Sequence, residues 1–464
     1  MPLSIATHTD DVLKHTTSLC PVCRVLVPAV VVDRDGCVFM QKTCPDHGAF
    51  EVLINSNRQW YFDSVGADGG CCGGDSGGCC SPGSGSDSAP DKSGGTVEHG
   101  ATCIALIEMV EDCNLTCPTC YAGSAPPLPG HDLSVVSLHD FKQRIETVVA
   151  RKGPLDILQL SGGEPTLHPD FFELLHWALG HEHIGYVLLN TNGLRIAQEP
   201  DFAQRLGDAH TQHGHFEIYL QFDGVQEAGQ VALRGLDLRK MRERVIDCCG
   251  QWNVPVTLAM TVNRAALPHL GEAVLFGLER PIVRGVVFQP EFGSGRTSGE
   301  VGVTVKGKAP TPERTTDSSH LNVADVIHAV VNQTHGTVTE ADFTPLPCGD
   351  PNCHTIGYLI RHDDAPNGVL RVSDFVDFKQ LQGFLADRVN FDLDDLKHCG
   401  CETQELGAVL QELEIGPRNV FRLFIKPFMD AWTYDQHRVD RCCVHVIKEN
   451  GELDSFCRHY AMKG

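Results

Sequence analysis

The stretch that decides the fold is Ile104-Ala-Leu-Ile-Glu-Met-Val110, followed by Glu111-Asp-Cys113-Asn-Leu-Thr-Cys117-Pro-Thr-Cys120-Tyr121. Its apolar half predicts a buried β-strand, and its polar half predicts a loop that carries three thiols. Three thiolates on one loop can bind three irons of a 4Fe–4S cube and leave the fourth iron without a protein ligand. A zinc site is the alternative, but a structural zinc normally takes four protein ligands. The spacing therefore predicts a cluster with one iron left open for another ligand.

A regular alternation of strand-like and helical segments extends from Thr102 to about Gln289. Such an alternation predicts an α/β fold with a parallel sheet and right-handed crossover helices. Six strand–helix units fit an open, partial (β/α)6 barrel whose functional residues lie at the C-terminal ends of the strands. The predicted strands are Ile104–Val110, Ile157–Ser161, Tyr186–Asn190, Glu217–Phe222, Thr257–Val262 and Gly285–Gln289.

Composition divides the chain into four segments. Residues 15–63 carry cysteines in short turns and predict a small N-terminal metal-binding domain. Residues 64–98, rich in Gly, Ser and paired cysteines, predict a low-complexity linker. Residues 102–292 form the barrel core, and residues 320–464 predict an α+β domain with further cysteines. The helices expected in that last domain are Asn322–Gln333, Asp392–Glu414 and Asn419–Met429.

Charge and hydrophobicity exclude several classes of protein. A net charge of −23 argues against a nucleic-acid binder, which needs a basic face to neutralise phosphates. No apolar run is long enough to span a bilayer, and the N-terminus lacks the features of a secretory signal. We therefore expect a cytoplasmic protein. In that reducing compartment the 21 cysteines indicate metal ligands rather than disulfides.

Polar turns follow the predicted strands at the same end of the barrel. Ser161-Gly-Gly-Glu-Pro165 follows the second strand, where glycines permit close approach to a ligand and the Glu164 carboxylate can meet an ammonium group. The usual ligand of an open iron that also carries an ammonium group is S-adenosylmethionine (SAM). A plain strand-ending turn is the alternative for any one of these turns alone. The expected SAM contacts are Tyr121, Gly162, Gly163, Glu164, Asn190, Asn192, Gln221 and Gln289.

A second metal site is predicted near the N-terminus. Cys20-Pro-Val-Cys23 and Cys44-Pro-Asp-His47 form two knuckle-like turns that direct their ligands to one zinc or one rubredoxin-like iron. Three of the ligands are Cys20, Cys23 and Cys44. The fourth is either His47 or a cysteine from residues 71–80.

Further cysteines in the last segment predict one or two auxiliary 4Fe–4S clusters. Their Pro, Gly and aromatic neighbours favour cluster loops over buried apolar thiols. This segment holds seven cysteines, whereas two complete cubes need eight ligands, so Cys103 or a histidine such as His445 would supply the eighth. The predicted auxiliary ligands are Cys348, Cys353, Cys399, Cys401, Cys442 and Cys457.

Together these motifs resemble the radical SAM superfamily. Within it they resemble the branch of the archaeal tetraether lipid synthase and the methylases of 7,8-dihydro-6-hydroxymethylpterin. The cysteine loop is common to the superfamily, whereas the flanking cysteine blocks are typical of the branch. The likeness covers nearly all of the chain except residues 64–98 and roughly 297–320. The matching stretches are Ser18-Leu-Cys-Pro-Val-Cys23, Lys42-Thr-Cys-Pro-Asp-His-Gly48, Thr102-Cys-Ile-Ala-Leu-Ile-Glu108, Pro345-Leu-Pro-Cys-Gly-Asp-Pro-Asn-Cys353, Phe428-Met-Asp-Ala-Trp-Thr-Tyr-Asp435, Arg441-Cys-Cys-Val-His445 and Phe456-Cys457.

The resemblance implies an oxygen-sensitive enzyme that reductively cleaves SAM to a 5′-deoxyadenosyl radical and removes hydrogen from an unactivated carbon. It implies carbon–carbon bond formation, either by coupling lipid chains or by methylating a pterin-like small molecule. An electron donor such as ferredoxin or flavodoxin is the expected protein partner. The alternatives are an iron–sulfur electron carrier and a SAM-binding regulatory protein without radical turnover.

The open-cluster prediction is tested by the substitution Cys117→Ala. Loss of one of three iron ligands should abolish the formation of 5′-deoxyadenosine from SAM by the anaerobically reconstituted and reduced protein. The nucleoside is quantified by chromatography. An equal yield from the variant and the parent protein would contradict the prediction.

Overall fold

The computed structural model describes residues 10–63, 102–297, 315–317, 320–346, 349–375 and 415–462. Within these residues the chain forms a five-stranded sheet near the N-terminus and a twelve-stranded sheet around the barrel. The expected helix Asp392–Glu414 and the cysteines at 71–80 lie outside the described residues.

The N-terminal sheet is antiparallel in chain order, with one short parallel strand added at its edge. Alternating residues of its strands point inward, and their apolar side chains form a small core of their own. Its elements are β1 (Asp11–Leu19), β2 (Leu26–Arg34), β3 (Cys37–Cys44), β4 (Gly48–Asn55), the helix α1 (Arg58–Asp63) and, after the barrel, β11 (Thr315–Asp317).

Six parallel strands in chain order confirm the predicted α/β barrel core. Each predicted strand overlaps an observed one, because these short apolar runs are buried in the middle of the sheet. The strands are β5 (Ile104–Val110), β6 (Leu155–Gly162), β7 (Ile184–Thr191), β8 (Phe216–Gln221), β9 (Val256–Val262) and β10 (Val283–Pro290).

Helices connect these strands and cover the sheet with an apolar face. The first begins after Ser137, whose hydroxyl accepts a hydrogen bond of 3.1 Å from the Asp140 amide. Two of these helices, α4 and α6, were not predicted from the sequence. The connecting helices are α2 (Leu138–Lys152), α3 (Phe171–Leu179), α4 (Leu194–Gln198), α5 (Pro200–His213), α6 (Glu227–Arg234), α7 (Arg239–Gln251) and α8 (Leu270–Leu278). No helix in the described ranges is long and apolar enough to cross a membrane.

The tail adds one parallel strand to each edge of the barrel. β15 (Val420–Ile425) pairs with β10, and β16 (Val444–Ile447) pairs with β5. The prediction of a helix over Asn419–Met429 is therefore wrong. A short, continuous apolar run fits a buried helix and a buried strand equally well, and long-range pairing with β10 decides between them.

The remaining tail elements extend the two edges further. They are β12 (Phe343–Pro345), β13 (Thr355–Arg361), β14 (Val369–Arg371) and β17 (Leu453–Ser455), with α9 (Val323–Gln333), α10 (Gln436–Asp440) and α11 (Phe456–Met462).

A buried lysine attaches the N-terminal sheet to the tail. The Lys42 ammonium donates to the Ser18 hydroxyl at 2.9 Å and to the carbonyls of Ala431 and Trp432 at 2.7 and 2.6 Å. Burial lowers the pKa of Lys42 to about 7. Because oxygens from both parts of the chain surround this group, it aligns the sheet with the loop that follows β15.

The seam between β10 and β15 is tested by Gly285→Val. A Cβ at Gly285 would lie 2.2 Å from the Arg422 carbonyl oxygen, so a side chain there should separate the strands. We expect the free energy of unfolding to fall by about 1–3 kcal/mol, measured by chemical denaturation. The control is Gly250→Ala, where nothing lies within 4 Å. Equal stability of the Gly285→Val variant and the parent would show that β15 does not depend on this close approach.

Candidate active site and metal centres

The three thiols of the cysteine loop face one cavity at the C-terminal ends of the barrel strands. Cys113, Cys117 and Cys120 all line it. Cys113 and Cys117 are only 9% and 6% exposed. In the described part of the chain only an N-terminal group has ligand atoms that all lie within 4.8 Å of one another. The three loop thiols are therefore spread more widely than a single ion requires, as a multi-iron cluster needs.

Burial sets the protonation of these thiols. It raises the pKa of Cys113 to about 12 and also raises the pKa of Cys117, although the nearby Arg234 cation opposes the second shift. Metal binding must displace these protons, since the thiolate is the ligand.

The glycine turn after β6 lies directly against the cysteine loop. The Gly163 amide donates to the Val110 carbonyl at 2.6 Å, and the Glu164 amide donates to the Asp112 carbonyl at 2.9 Å. A Cβ at Gly163 would be 2.1 Å from the Asp112 carbonyl oxygen. Glycine is required here because two backbones approach each other, and Gly162 and Gly163 both line the cavity as expected.

The Glu164 carboxylate occupies a different position from the one expected. It is not among the described side chains that line the cavity. Instead it accepts from the Thr166 hydroxyl at 2.6 Å, the Thr191 hydroxyl at 2.7 Å and the Asn192 amide at 2.8 Å. Burial raises the pKa of Glu164, although these hydrogen bonds act to lower it. The carboxylate thus joins the ends of β6 and β7.

Asn192 links the β7 turn to the cysteine loop. Its side-chain amide lies 3.8 Å from the Cys113 sulfur and donates to the Asn114 side-chain oxygen at 2.7 Å. Asn190, two residues earlier, accepts from the Gln159 amide at 2.5 Å and donates to the Ser161 hydroxyl at 3.1 Å. Both predicted asparagines line the cavity, but Asn190 already has partners on the neighbouring strand.

Two buried arginines beside the loop were missed by the sequence analysis. Arg234 forms a two-bond ion pair with Asp223, at 2.6 and 2.8 Å, and donates to the Thr119 carbonyl at 3.1 Å. Burial opposes ionisation of Asp223, but the Arg234 cation outweighs it and lowers the pKa of Asp223. Arg242 donates to the predicted site residue Gln221 at 3.0 Å. The arginines lie on α6 and α7, so helix position rather than a motif brings them here.

Aromatic rings close the opposite side of the cavity. Tyr121 packs against Phe292, Phe456 and Tyr460, with ring centroids 6.1, 5.6 and 4.9 Å apart. Phe428 stacks on Phe456 at 4.2 Å. Tyr121 therefore lies where an aromatic side chain was expected, in a wall that the tail completes.

The N-terminal knuckles bring four ligand atoms together. The sulfurs of Cys23 and Cys44 are 3.8 Å apart, and His47 Nδ1 lies 3.7 Å from the Cys20 sulfur and 3.5 Å from the Cys44 sulfur. Tetrahedral zinc, with bonds of about 2.3 Å to sulfur and 2.0–2.1 Å to nitrogen, needs ligand atoms about 3.5–3.8 Å apart. The four ligand atoms fit one metal ion. Of the two candidates for the fourth ligand, His47 is the one that the structure places beside the three cysteines.

The tail thiols form a looser group. Cys353, Cys442 and Cys457 act electrostatically on one another. The Met429 amide donates to the Cys457 sulfur at 3.3 Å, and the Val444 amide donates to the Cys442 sulfur at 3.4 Å. The predicted ligands Cys348, Cys399 and Cys401 lie outside the described residues.

The two residues offered as additional ligands differ in their placement. The Cys103 amide donates to the Cys443 carbonyl at 3.0 Å, but the Cys103 thiol is disulfide-bonded and is therefore not free to bind a cluster. For this residue the expectation of a metal ligand rather than a disulfide is wrong. His445 contacts the Thr102 hydroxyl at 3.2 Å, and the charged groups that act on its ring are Lys152, Asp454 and Arg458.

Two family models match the chain. Residues 107–264 match the radical SAM superfamily, and residues 12–56 match the HMPTM N-terminal zinc ribbon domain. With the cysteine loop and the glycine turn at one cavity, this protein is a radical SAM enzyme. It carries an N-terminal zinc ribbon with three cysteines and one histidine at its metal site.

Among known proteins, the chain is similar to a 7,8-dihydro-6-hydroxymethylpterin dimethyltransferase of Methanocaldococcus jannaschii. The two are 26% identical over 96% of this chain and 93% of that protein. A mycofactocin maturase of Mycobacterium tuberculosis is 30% identical over 34% of this chain and 38% of its own length. Among solved structures, Streptococcus suis SuiB bound to SAM matches 50% of this chain and 46% of its own, with 13% identity and a TM-score of 0.36.

The ribbon site is tested by Cys44→Ala. Loss of one of four ligands should remove most of the zinc or iron bound by the N-terminal domain, measured by elemental analysis after desalting. The matched control is Cys37→Ala, since the Cys37 thiol contacts the Ser56 carbonyl at 3.6 Å and lies outside the four-ligand group. Equal metal loss in both variants would contradict the assignment.

Proposed function

We propose that this radical SAM enzyme is a methyltransferase that acts on 7,8-dihydro-6-hydroxymethylpterin. The observation that carries the proposal is the similarity over nearly the full length of both chains to a dimethyltransferase of that pterin. Full-length similarity includes the tail, which supplies part of the cavity wall and therefore bears on the choice of substrate.

Polar side chains within a mainly apolar cavity support a small heterocycle as the substrate. Two chemistries are expected of this branch, and they require opposite linings: a lipid chain requires an apolar tunnel, whereas a pterin requires hydrogen-bonding groups. Polar side chains from several strand ends line the cavity here. They include Gln159, Asn190, Tyr219, Gln221, Gln289 and Lys426.

The residues of the cysteine loop fit a SAM-binding cluster. When bound at Cys113, Cys117 and Cys120, a 4Fe–4S cluster with SAM on its open iron supplies a carbon-centred radical that protein side chains cannot generate. The protein itself positions the reactants and excludes water from them. Gly162 and Gly163 leave backbone groups accessible beside the loop, and the aromatic wall around Tyr121 keeps water from the reacting carbon.

The tail thiols support an auxiliary iron–sulfur site. The Arg438 cation acts on the thiols of Cys353 and Cys457, and two backbone amides donate to the sulfurs of this group. Positive charge and N–H donors stabilise thiolate sulfur, as a cluster requires. An electron donor such as a ferredoxin or flavodoxin would supply the reducing equivalents.

The proposal is tested with a pterin that carries deuterium at its saturated carbons. Reconstituted enzyme, SAM and a reductant should transfer deuterium into 5′-deoxyadenosine, because the radical takes hydrogen from the substrate. Mass spectrometry of the nucleoside measures the transfer. Deoxyadenosine without deuterium would oppose the pterin as substrate, and absence of deoxyadenosine would favour an electron carrier or a SAM-binding regulator.

A genetic comparison separates the two substrate classes. Cells that lack the gene should lose methylated pterins and keep their lipid composition unchanged, as measured by mass spectrometry of both extracts. The reverse pattern would replace the pterin assignment by lipid-chain coupling.

A further inference from the structure

A lysine from the tail lies in the wall of the active-site cavity. Lys426 directly follows β15, and its amide donates to the Phe288 carbonyl of β10 at 2.9 Å. The residue is 7% exposed and lines the same cavity as the cysteine loop. Strand pairing therefore delivers a cationic side chain to the C-terminal end of the barrel, where ligands bind in this fold.

Among the described residues, no carboxylate forms an ion pair with this ammonium group. Within the described residues it approaches the ring faces of Tyr219 and Phe424, at 5.9 and 5.0 Å from their centroids. The acidic group that acts on it is the Cys443 thiol. Burial lowers the pKa of Lys426 to about 8, so it remains largely protonated near neutral pH. A buried cation without a carboxylate partner is costly unless a ligand supplies the missing acceptor.

A second donor lies in the same wall. The Tyr219 hydroxyl accepts from the Gln289 side-chain amide at 2.8 Å, which leaves the Tyr219 O–H as a donor. The side-chain amides of Gln159 and Asn190 each already donate to a neighbouring side chain. Lys426 and Tyr219 both have hydrogen-bond donors to offer in this wall.

We propose that Lys426 and the Tyr219 hydroxyl together bind the lactam oxygen of the substrate heterocycle. This assignment rests on the proposed function, and it names the substrate group that the tail recognises. One cation and one neutral donor suit a single polarised carbonyl oxygen, whereas a phosphate or carboxylate would favour the forked donors of an arginine. The lysine thereby orients the ring against the aromatic wall formed around Tyr121.

The experiment compares two ligands and matched variants. SAM-loaded enzyme is titrated with 7,8-dihydro-6-hydroxymethylpterin and with the analogue that lacks the lactam oxygen, and the Kd of each is measured by calorimetry. Lys426→Met should weaken pterin binding about 10- to 100-fold, as expected when a hydrogen bond to a charged group is lost. It should leave the weaker binding of the analogue unchanged. Tyr219→Phe should weaken pterin binding about 3- to 10-fold.

Two further variants exclude structural explanations. Lys426→Arg keeps the charge and should recover most of the affinity for the pterin, whereas Lys142→Met, on α2 outside the cavity, should behave like the parent protein. Iron content and SAM affinity are measured on every variant.

Three results would count against the assignment. The assignment would be overturned if Lys426→Met weakened the binding of the pterin and of the analogue equally. Loss of iron from this variant would also overturn it, because the lysine would then support the tail thiols instead. A parent protein that binds and methylates the pterin while Lys426→Met binds it unchanged would overturn this inference alone. A parent protein that binds neither ligand would overturn the proposed function itself.

Discussion

Two backbone hydrogen bonds hold the active site together. They join the amides of Gly163 and Glu164 to the carbonyls of Val110 and Asp112, so the turn after β6 cannot move independently of the cysteine loop. The Glu164 carboxylate extends the same unit to the end of β7 through Thr191 and the Asn192 amide. Hydrogen bonds thus join three consecutive strand ends, and a site that positions a radical beside one carbon requires such fixed geometry.

The barrel and the tail supply different sides of the cavity wall. The strands from β5 to β10 supply the thiols, the glycine turn and the network around Asn190, all of which line one side of the cavity. The tail supplies Lys426, Phe428 and Phe456, which face the same cavity from the opposite side. Residues 107–264 match a large superfamily, and the tail adds its side chains to the cavity from strands at the edges of that sheet.

Much of the fold was predictable because local patterns determine it. The six barrel strands are short apolar runs between turns, and the spacing of cysteines in the loop and knuckles limits what they can bind. The histidine of the ribbon remained an alternative until His47 was seen beside Cys20 and Cys44. Sequence reasoning failed where distant contacts decide. Val420–Ile425 is a strand only because β10 offers it an edge.

Distant contacts also determine the orientation of Glu164 and the presence of two arginines that the sequence analysis missed. A Gly-Gly-Glu turn suggests that the carboxylate meets the ligand, yet Thr166 and Thr191 supply donors that turn Glu164 inward. Arg234 and Arg242 have no motif of their own. Their positions depend on where α6 and α7 pack. Because both side chains are buried, the ion pair of Arg234 with Asp223 and the hydrogen bond of Arg242 to Gln221 affect the electrostatics around the cysteine loop.

The pairing of β5 with β16 has a consequence for biosynthesis. Ile104 lies opposite Val444, so one edge of the barrel has no partner until nearly all of the chain has left the ribosome. During that interval the unpaired edge of β5 is a template for wrong strand pairing, and contacts so distant in sequence form slowly. The cavity wall is completed late as well, because Phe428 and Phe456 of the tail line it beside the cysteine loop.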